Sequence, residues 1–148
     1  MIVEVPSDHL EELLPMAHAF YEESKSGGTF SEERWLTQWK FLIDSNAGFI
    51  LAYARGNRPV GSIGGMLAPH PNEDETICME AFWYFLPEER GKGIAPIKLM
   101  KKYEQVAKER GAGLISMACL DHLDSGRLSN LYEKMGYRPI ERSFLKRV

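Results

Sequence analysis

Between Leu10 and Ile43 the apolar residues recur every three or four positions, whereas from Ala47 to Leu86 they alternate or run together. The first pattern is helical and the second belongs to strands. "IVEV" (2–5) reads as a short strand that Pro6 ends. Asp8 and Glu11 have capping-box spacing for a helix through about Glu23, with Leu10, Leu13, Leu14, Ala17 and Phe20 or Tyr21 on its apolar face. "SKSGGTF" (24–30) is a loop. Ser31 then caps a second helix, "EERWLTQWKFLID", in which Trp35, Leu36, Trp39, Leu42 and Ile43 share a face.

"AGFILAYA" and "VGSIGGML" are strands joined by "RGNRP", whose Gly-Asn pair is a hairpin signal. After the acidic loop "APHPNEDE" (68–75), "TICMEAFWYFL" (76–86) is a long aromatic strand stopped by Pro87. The clearest helix runs from about Ile94 to Arg110, with Ile97, Met100, Tyr103, Val106 and Ala107 inward and "GAG" closing it. "LISMACL" reads as a buried strand, and the loop "DHLDSG" leads to a short helix, "RLSNLYEKM", closed by Gly136. "YRPIER" and "SFLKRV" finish the chain as strand pieces. The order βααβββαβαββ predicts an α+β fold, a central mostly antiparallel sheet flanked by helices, in a single domain over 1–148.

Bulk properties narrow the function more than they name it. A net charge of −3 gives no general case for nucleic acid or an anionic membrane as partner. No apolar run approaches the roughly 20 residues that span a bilayer, and the N-terminus has no basic flank or apolar signal core. Cys78 and Cys119 stand alone in apolar segments, without the spacing of a disulfide framework or a zinc site. A reducing cytoplasm is the expected location, and no metal is expected.

"PEERGKGIAP" (87–96) carries the most chemistry. It follows a strand and opens a helix, where unpaired N–H groups and the positive end of the macrodipole attract anions. Its glycines let the backbone approach a bulky phosphate, and Arg90 and Lys92 add charge. A Walker loop would need Ser or Thr after Gly-Lys, and a dinucleotide fingerprint would need glycine where Pro96 stands. Two readings survive: a plain turn with surface cations, or a cradle for another phosphate. Lys98, Lys101 and Lys102 on the following helix form either a solvated face or a further phosphate contact.

Arg90-x-x-Gly93-x-Ala95, set between strand and helix, resembles the [RQ]-x-x-G-x-[GA] pyrophosphate loop of the GNAT superfamily of acetyl-CoA-dependent N-acetyltransferases. "LYEKMGYRPIER" resembles the same family's "LYeklGF" signature, and the element order agrees along essentially the whole chain. The resemblance implies that acetyl-CoA is the cosubstrate, its pyrophosphate held by backbone amides around Arg90, Gly91, Lys92, Gly93, Ile94 and Ala95. Pro96 departs from the pattern by withholding one N–H, although proline suits a first helical turn.

An alkyl amine with pKa near 10 is almost wholly protonated at neutral pH, about one molecule in a thousand being ready to attack a thioester. The reaction therefore needs a proton route, polarisation of the carbonyl and an acid for the leaving thiolate. By resemblance, Phe85 occupies the pantetheine-contacting strand position, and its N–H is the candidate for binding and oxyanion polarisation. Tyr132 occupies the position of the usual general acid. Leu128, Leu131, Tyr132 and Met135 also form a helical stripe, so a core tyrosine is the competing reading.

Glu80 is the candidate base, the only carboxylate between Thr76 and Leu86 in a strand otherwise apolar or aromatic. A solvent-facing or ion-paired Glu80 is the alternative, and Asp121 with His122 or a water route are the other ways to move the proton. Ser125 stands where many relatives carry asparagine. Cys119 beside His122 could form a nucleophile pair, but a buried strand cysteine is the favoured reading. Glu22, Glu23 and "NEDE" (72–75) could draw a cationic amine to the acceptor side. The loops 24–30 and 68–75 should shape the acceptor pocket for a small-molecule amine or a protein amine. The terminal strands offer an edge to a homodimer. A non-catalytic acyl-CoA-binding sensor on the same fold is the alternative function.

Overall fold

The structure, a computed structural model, describes residues 1–123 and 125–148. They fall into two compact units, Met1–Ser116 and Met117–Val148. In the first unit, β1 (Ile2–Glu4), β2 (Gly48–Arg55), β3 (Arg58–Pro69), β4 (Thr76–Phe85) and β5 (Ala112–Ser116) lie in that order in one sheet. Neighbours are antiparallel except β4 and β5. Those two run parallel because α3 (Ala95–Glu109) carries the chain back between them. The β2–β3 turn falls at Gly56, whose φ of 62° is the left-handed value that the Gly-Asn pair predicts.

Side-chain alternation gives the sheet two covered faces. Ile50, Ala52 and Phe82 join Trp39 and Leu42 of α2 (Glu32–Asp44) on one face. On the other, Phe49 meets the Tyr103 ring of α3 at 5.4 Å and the Cys78 thiol lies 3.3 Å from the Tyr103 hydroxyl. The glycines of β3 leave room for side chains from both layers. A Cβ on Gly64 would stand 2.5 Å from the Phe82 ring, and one on Gly65 would stand 2.8 Å from Tyr103.

The helices follow their stripes, with one break. Ser31 caps α2 as expected, its Oγ accepting the Arg34 N–H at 3.2 Å. Helix α3 buries Met100, Tyr103, Val106 and Ala107, together with Leu99. The expected helix from Asp8 instead begins as a 3-10 turn, Ser7–Leu13, without a side-chain cap. Only at Leu14–Ser24 does it become α1. Pro15 explains the break: it has no N–H to donate and its ring clashes with the carbonyl four residues back, so an α-helix starts there and does not run through.

In the second unit α4 (Ser125–Lys134) ends at Gly136, whose φ of 94° lets the Tyr137 N–H reach the Tyr132 carbonyl at 3.0 Å. β5 stops at Ser116, so the strand expected through Leu120 is cut short. The expected strand pieces "YRPIER" and "SFLKRV" are not strands in the structure. Ile140, Phe144 and Leu145 are 69%, 88% and 78% exposed, so these apolar side chains have no facing layer, and Pro139 withholds a ladder donor. The α+β class and the mostly antiparallel sheet hold without them.

Candidate active site

Strand β4 is irregular where its function is expected. Gly64 pairs with Phe82 and Gly65 pairs with Glu80, so Ala81 has no partner on β3 and forms a β-bulge. Glu80 faces the α3 side with its partner Gly65, whereas Ala81 packs with Phe82 in the α2-side cluster. Glu80 is half-buried. Pairing of β4 with β5 ends at Met79 and Ser116, yet β4 continues to Phe85. The Leu86 N–H donates to the Val60 carbonyl at 3.0 Å. By antiparallel alternation the Phe85 N–H therefore points away from β3, towards the edge that β5 has left. The Phe85 ring is buried over Gly61, 6.0 Å from Tyr53.

The segment after β4 is pinned before it reaches the glycines. Glu89 accepts from Arg55 at 2.6 Å and Glu88 from Arg58 at 3.1 Å, which ties the segment to the β2–β3 hairpin. Arg90 reaches back to α1. Its two terminal nitrogens donate to both Glu23 oxygens at 2.9 and 2.8 Å, and its Nε donates to the Phe85 carbonyl at 2.9 Å. The guanidinium also lies 5.0 Å from the centre of the Tyr84 ring. Lys92 remains exposed. Gly91 and Gly93 follow with φ of 72° and 79°, and a Cβ at either would meet nothing within 4 Å. The loop is thus held at its root and open at its tip. Helix α3 then begins with no side-chain cap and with proline in its first turn, so its leading amides other than that of Pro96 are directed at whatever the loop holds.

Electrostatics follow this clamp. Hydrogen bonding from Arg90 holds the Glu23 carboxyl below the usual range. Burial, with Glu23 beside it, pushes the Tyr84 phenol up to about 12. Glu23 is therefore half of an ion pair and no free lure for a cationic amine. Burial also raises the Cys78 thiol, which suits packing and not nucleophilic work.

The second unit carries the other candidates. Tyr132 is 7% exposed and its hydroxyl donates to the Ala118 carbonyl at 2.8 Å, with the Tyr137 ring 5.9 Å away. Asp121 faces Arg142 at 3.7 Å on the surface, and His122 is exposed. The side chain of Ser125 lies outside the described residues. Cys119 is exposed, not buried, because it follows the shortened β5; its thiol lies 3.9 Å from the Ser129 hydroxyl.

A cavity of about 200 Å³ lies on the α1/α2 face, lined among others by Phe20, Phe30, Trp35, Trp39, Ala81 and Tyr84. Phe30 belongs to the loop expected to shape an acceptor pocket. The cavity itself is not visible in sequence, because its walls come from α1, the 24–30 loop, α2, β3 and β4.

Solved structures share this fold. An aminoglycoside acetyltransferase from an uncultured soil metagenomic sample superposes with a TM-score of 0.77 at 16% identity, covering 100% of this chain and 97% of that one. The ribosomal-protein-alanine N-acetyltransferase of Brucella melitensis biovar Abortus gives 0.73 at 19% identity, covering 100% and 99%. A predicted acetyltransferase from Clostridium acetobutylicum, solved with acetyl-CoA, gives 0.79 at 15% identity, covering 99% and 95%. No curated protein matches the sequence. The profile of the acetyltransferase (GNAT) family matches residues 10–137, and the chain belongs to that family.

Proposed function

We propose that the protein is an acetyl-CoA-dependent N-acetyltransferase, transferring acetyl directly to a primary amine within a ternary complex. The observation that carries this is the open tip at Gly91 and Gly93 leading into an uncapped α3, immediately after a bulged β4. Such a tip fits a pyrophosphate, because positive φ turns successive N–H groups inward and no side chain fills the space. Bound there, acetyl-CoA would supply the activated acetyl group.

The residue roles follow. The amides of Gly91 to Ala95 hold the anion, and Lys92 adds charge. The guanidinium of Arg90 acts as a strut and its own N–H donates to the Pro87 carbonyl at 3.3 Å, so its part is to hold the root of the loop. The Phe85 N–H binds the pantetheine arm or polarises the acetyl carbonyl. Glu80 receives the amine proton, directly or through water, and Tyr132 donates a proton to the departing thiolate. The reading favours one domain over 1–148, working in the cytoplasm.

The test is thiol release from acetyl-CoA across a panel of amines. Tyr132→Phe should lower kcat roughly 100-fold while leaving the acetyl-CoA Kd within about twofold, and Glu80→Gln should lower it at least about tenfold. Unchanged turnover in Tyr132→Phe would remove that residue from the mechanism. Tight acetyl-CoA binding with no turnover of any amine would favour the sensor function.

A further inference from the structure

The cavity on the α1/α2 face has the wrong chemistry for a polycationic acceptor and the right chemistry for an aromatic one. Apart from Ser62 its walls are aromatic or aliphatic, and among the described residues they include no Asp, Glu, Lys or Arg. The nearest carboxylate to Tyr84, that of Glu23, is neutralised by its two bonds to Arg90. The polar groups of the lining residues are uncharged, hydroxyls and indole N–H groups, and the Ser62 hydroxyl is turned onto the Met16 sulfur at 3.1 Å. An amino sugar with several ammonium groups would lose hydration there and gain no partner ion.

Size points the same way. An apolar cavity of about 150 Å³ holds a benzene molecule, and this one is about 200 Å³. Ring faces already meet across it: Trp39 and Phe82 stand edge-to-face at 5.5 Å, and Phe20 and Tyr84 at 5.9 Å. A further ring would extend such contacts. Ala81, the bulged residue of β4, and Tyr84, next to Phe85, are part of the cavity lining, so a ring seated among the tryptophans lies against β4 itself. Phe30 is held over the cavity by two rings, His18 at 4.4 Å and Tyr21 at 5.6 Å, and His18 is itself bonded to Glu32 at 2.8 Å.

We infer that this cavity seats the aryl group of the acceptor, so the substrate class is a monocationic aralkyl amine, a single ring carried on a short primary-amine chain. This rests on the acetyltransferase reading, which it makes specific. The N–C bond to the acetyl carbon forms as the C–S bond breaks; the ammonium nitrogen gives up two protons, one released through the base to water and one carried away by CoA as the thiol, so no further reactant is needed.

Two measurements separate the inference from the reading beneath it. The first is tryptophan fluorescence, since Trp35 and Trp39 line the cavity; a Trp83→Phe background removes the remaining indole. Titration with 2-phenylethanol, which has the ring but no amine, should give a saturable change. Ala17→Leu, which adds bulk at the cavity wall, should weaken that binding at least about tenfold, and Phe30→Ala provides a second variant should the first fold poorly. The second is thiol release with 2-phenylethylamine, spermidine and kanamycin side by side. Phenylethylamine should be preferred at least about tenfold in kcat/KM, and Ala17→Leu should erase the preference.

Faster turnover of spermidine or kanamycin, with no fluorescence response, would overturn the aryl site and leave the acetyltransferase intact. Saturable phenylethanol binding with acetyl-CoA bound but no amine turned over would overturn the acceptor role of the cavity. Failure to bind acetyl-CoA would instead count against the underlying activity.

Discussion

Arg90 uses its guanidinium inside the protein. Both terminal nitrogens go to Glu23 on α1, the Nε goes to the Phe85 carbonyl, and one face covers Tyr84. In sequence it is one cation of a glycine loop, and its partner lies 67 residues away, beyond the reach of any local pattern. A double-mutant cycle of Arg90→Gln and Glu23→Gln should return a coupling of about 1 kcal/mol, modest because both side chains are partly exposed. The acetyl-CoA Kd should change far less in Arg90→Gln than when the loop backbone is altered. The same cluster sets a pH profile. Glu23 is held below its ordinary value, so its contribution is present above the ordinary carboxylate range and is lost as pH falls through the lowered folded value. Tyr84 is raised from 10 to about 12, so its contribution is complete below pH 10 and is lost between 10 and about 12. Thermal melts across pH should decline at both ends. Tyr84→Phe should flatten the alkaline limb and Glu23→Gln the acidic one.

At the scale of elements, the loop and the strand before it act as a unit. β4 is pinned to β3 as far as Leu86, Glu88 and Glu89 fasten the turn to the hairpin, and only Gly91 to Ile94 is left open. Gly93→Ala tests that division. A Cβ there meets nothing, so the cost comes from φ alone, roughly 1–2 kcal/mol for a left-handed residue. Since the loop can relax when empty, much of that cost should appear as weaker acetyl-CoA binding, at least about fivefold by calorimetry, with a small change in Tm. An unchanged Kd would mean that positive φ at this residue is not used for binding. The position of the loop was legible in sequence because glycine, cation and helix onset are local signals. The bulge at Ala81 was not, because it exists only as a register slip against β3.

The same distinction holds for the whole molecule. Helix α2 was legible because cap and stripe agree, α3 because its stripe is long and Gly111 closes it, and the β2–β3 hairpin because its turn chemistry is explicit. The start of α1 was not, since Pro15 overrules a capping box that looks sound at Asp8 and Glu11. The terminal strands failed for a related reason: a strand-like pattern does not supply a neighbouring strand, and Ile140, Phe144 and Leu145 stay exposed. The site divides likewise. The candidate Glu80 stands out by residue type and the loop by spacing, and Tyr132 is singled out only by the family resemblance, whereas the cavity needs Ala17, Phe30, Trp39 and Tyr84 brought together from distant segments.

A thermal-shift titration with acetyl-CoA, CoA, NAD and ATP asks whether the whole molecule behaves as its loop implies. A ligand at about 100 times its Kd adds roughly 2.7 kcal/mol of stability, several degrees for a chain of this size. The open tip at Gly91 and Gly93 supplies backbone donors suited to a pyrophosphate, but all four ligands carry at least two linked phosphates. Selectivity must therefore come from the arm beyond the phosphates, which needs an edge of backbone to lie along. β4 beyond Met79 provides that edge, with the Phe85 N–H turned towards it. Acetyl-CoA and CoA should both raise Tm, and NAD and ATP should not. Equal shifts with all four would reduce the loop to a general phosphate site and assign no role to the β4 edge. No shift with either CoA species would remove the cradle from which the proposed activity is argued.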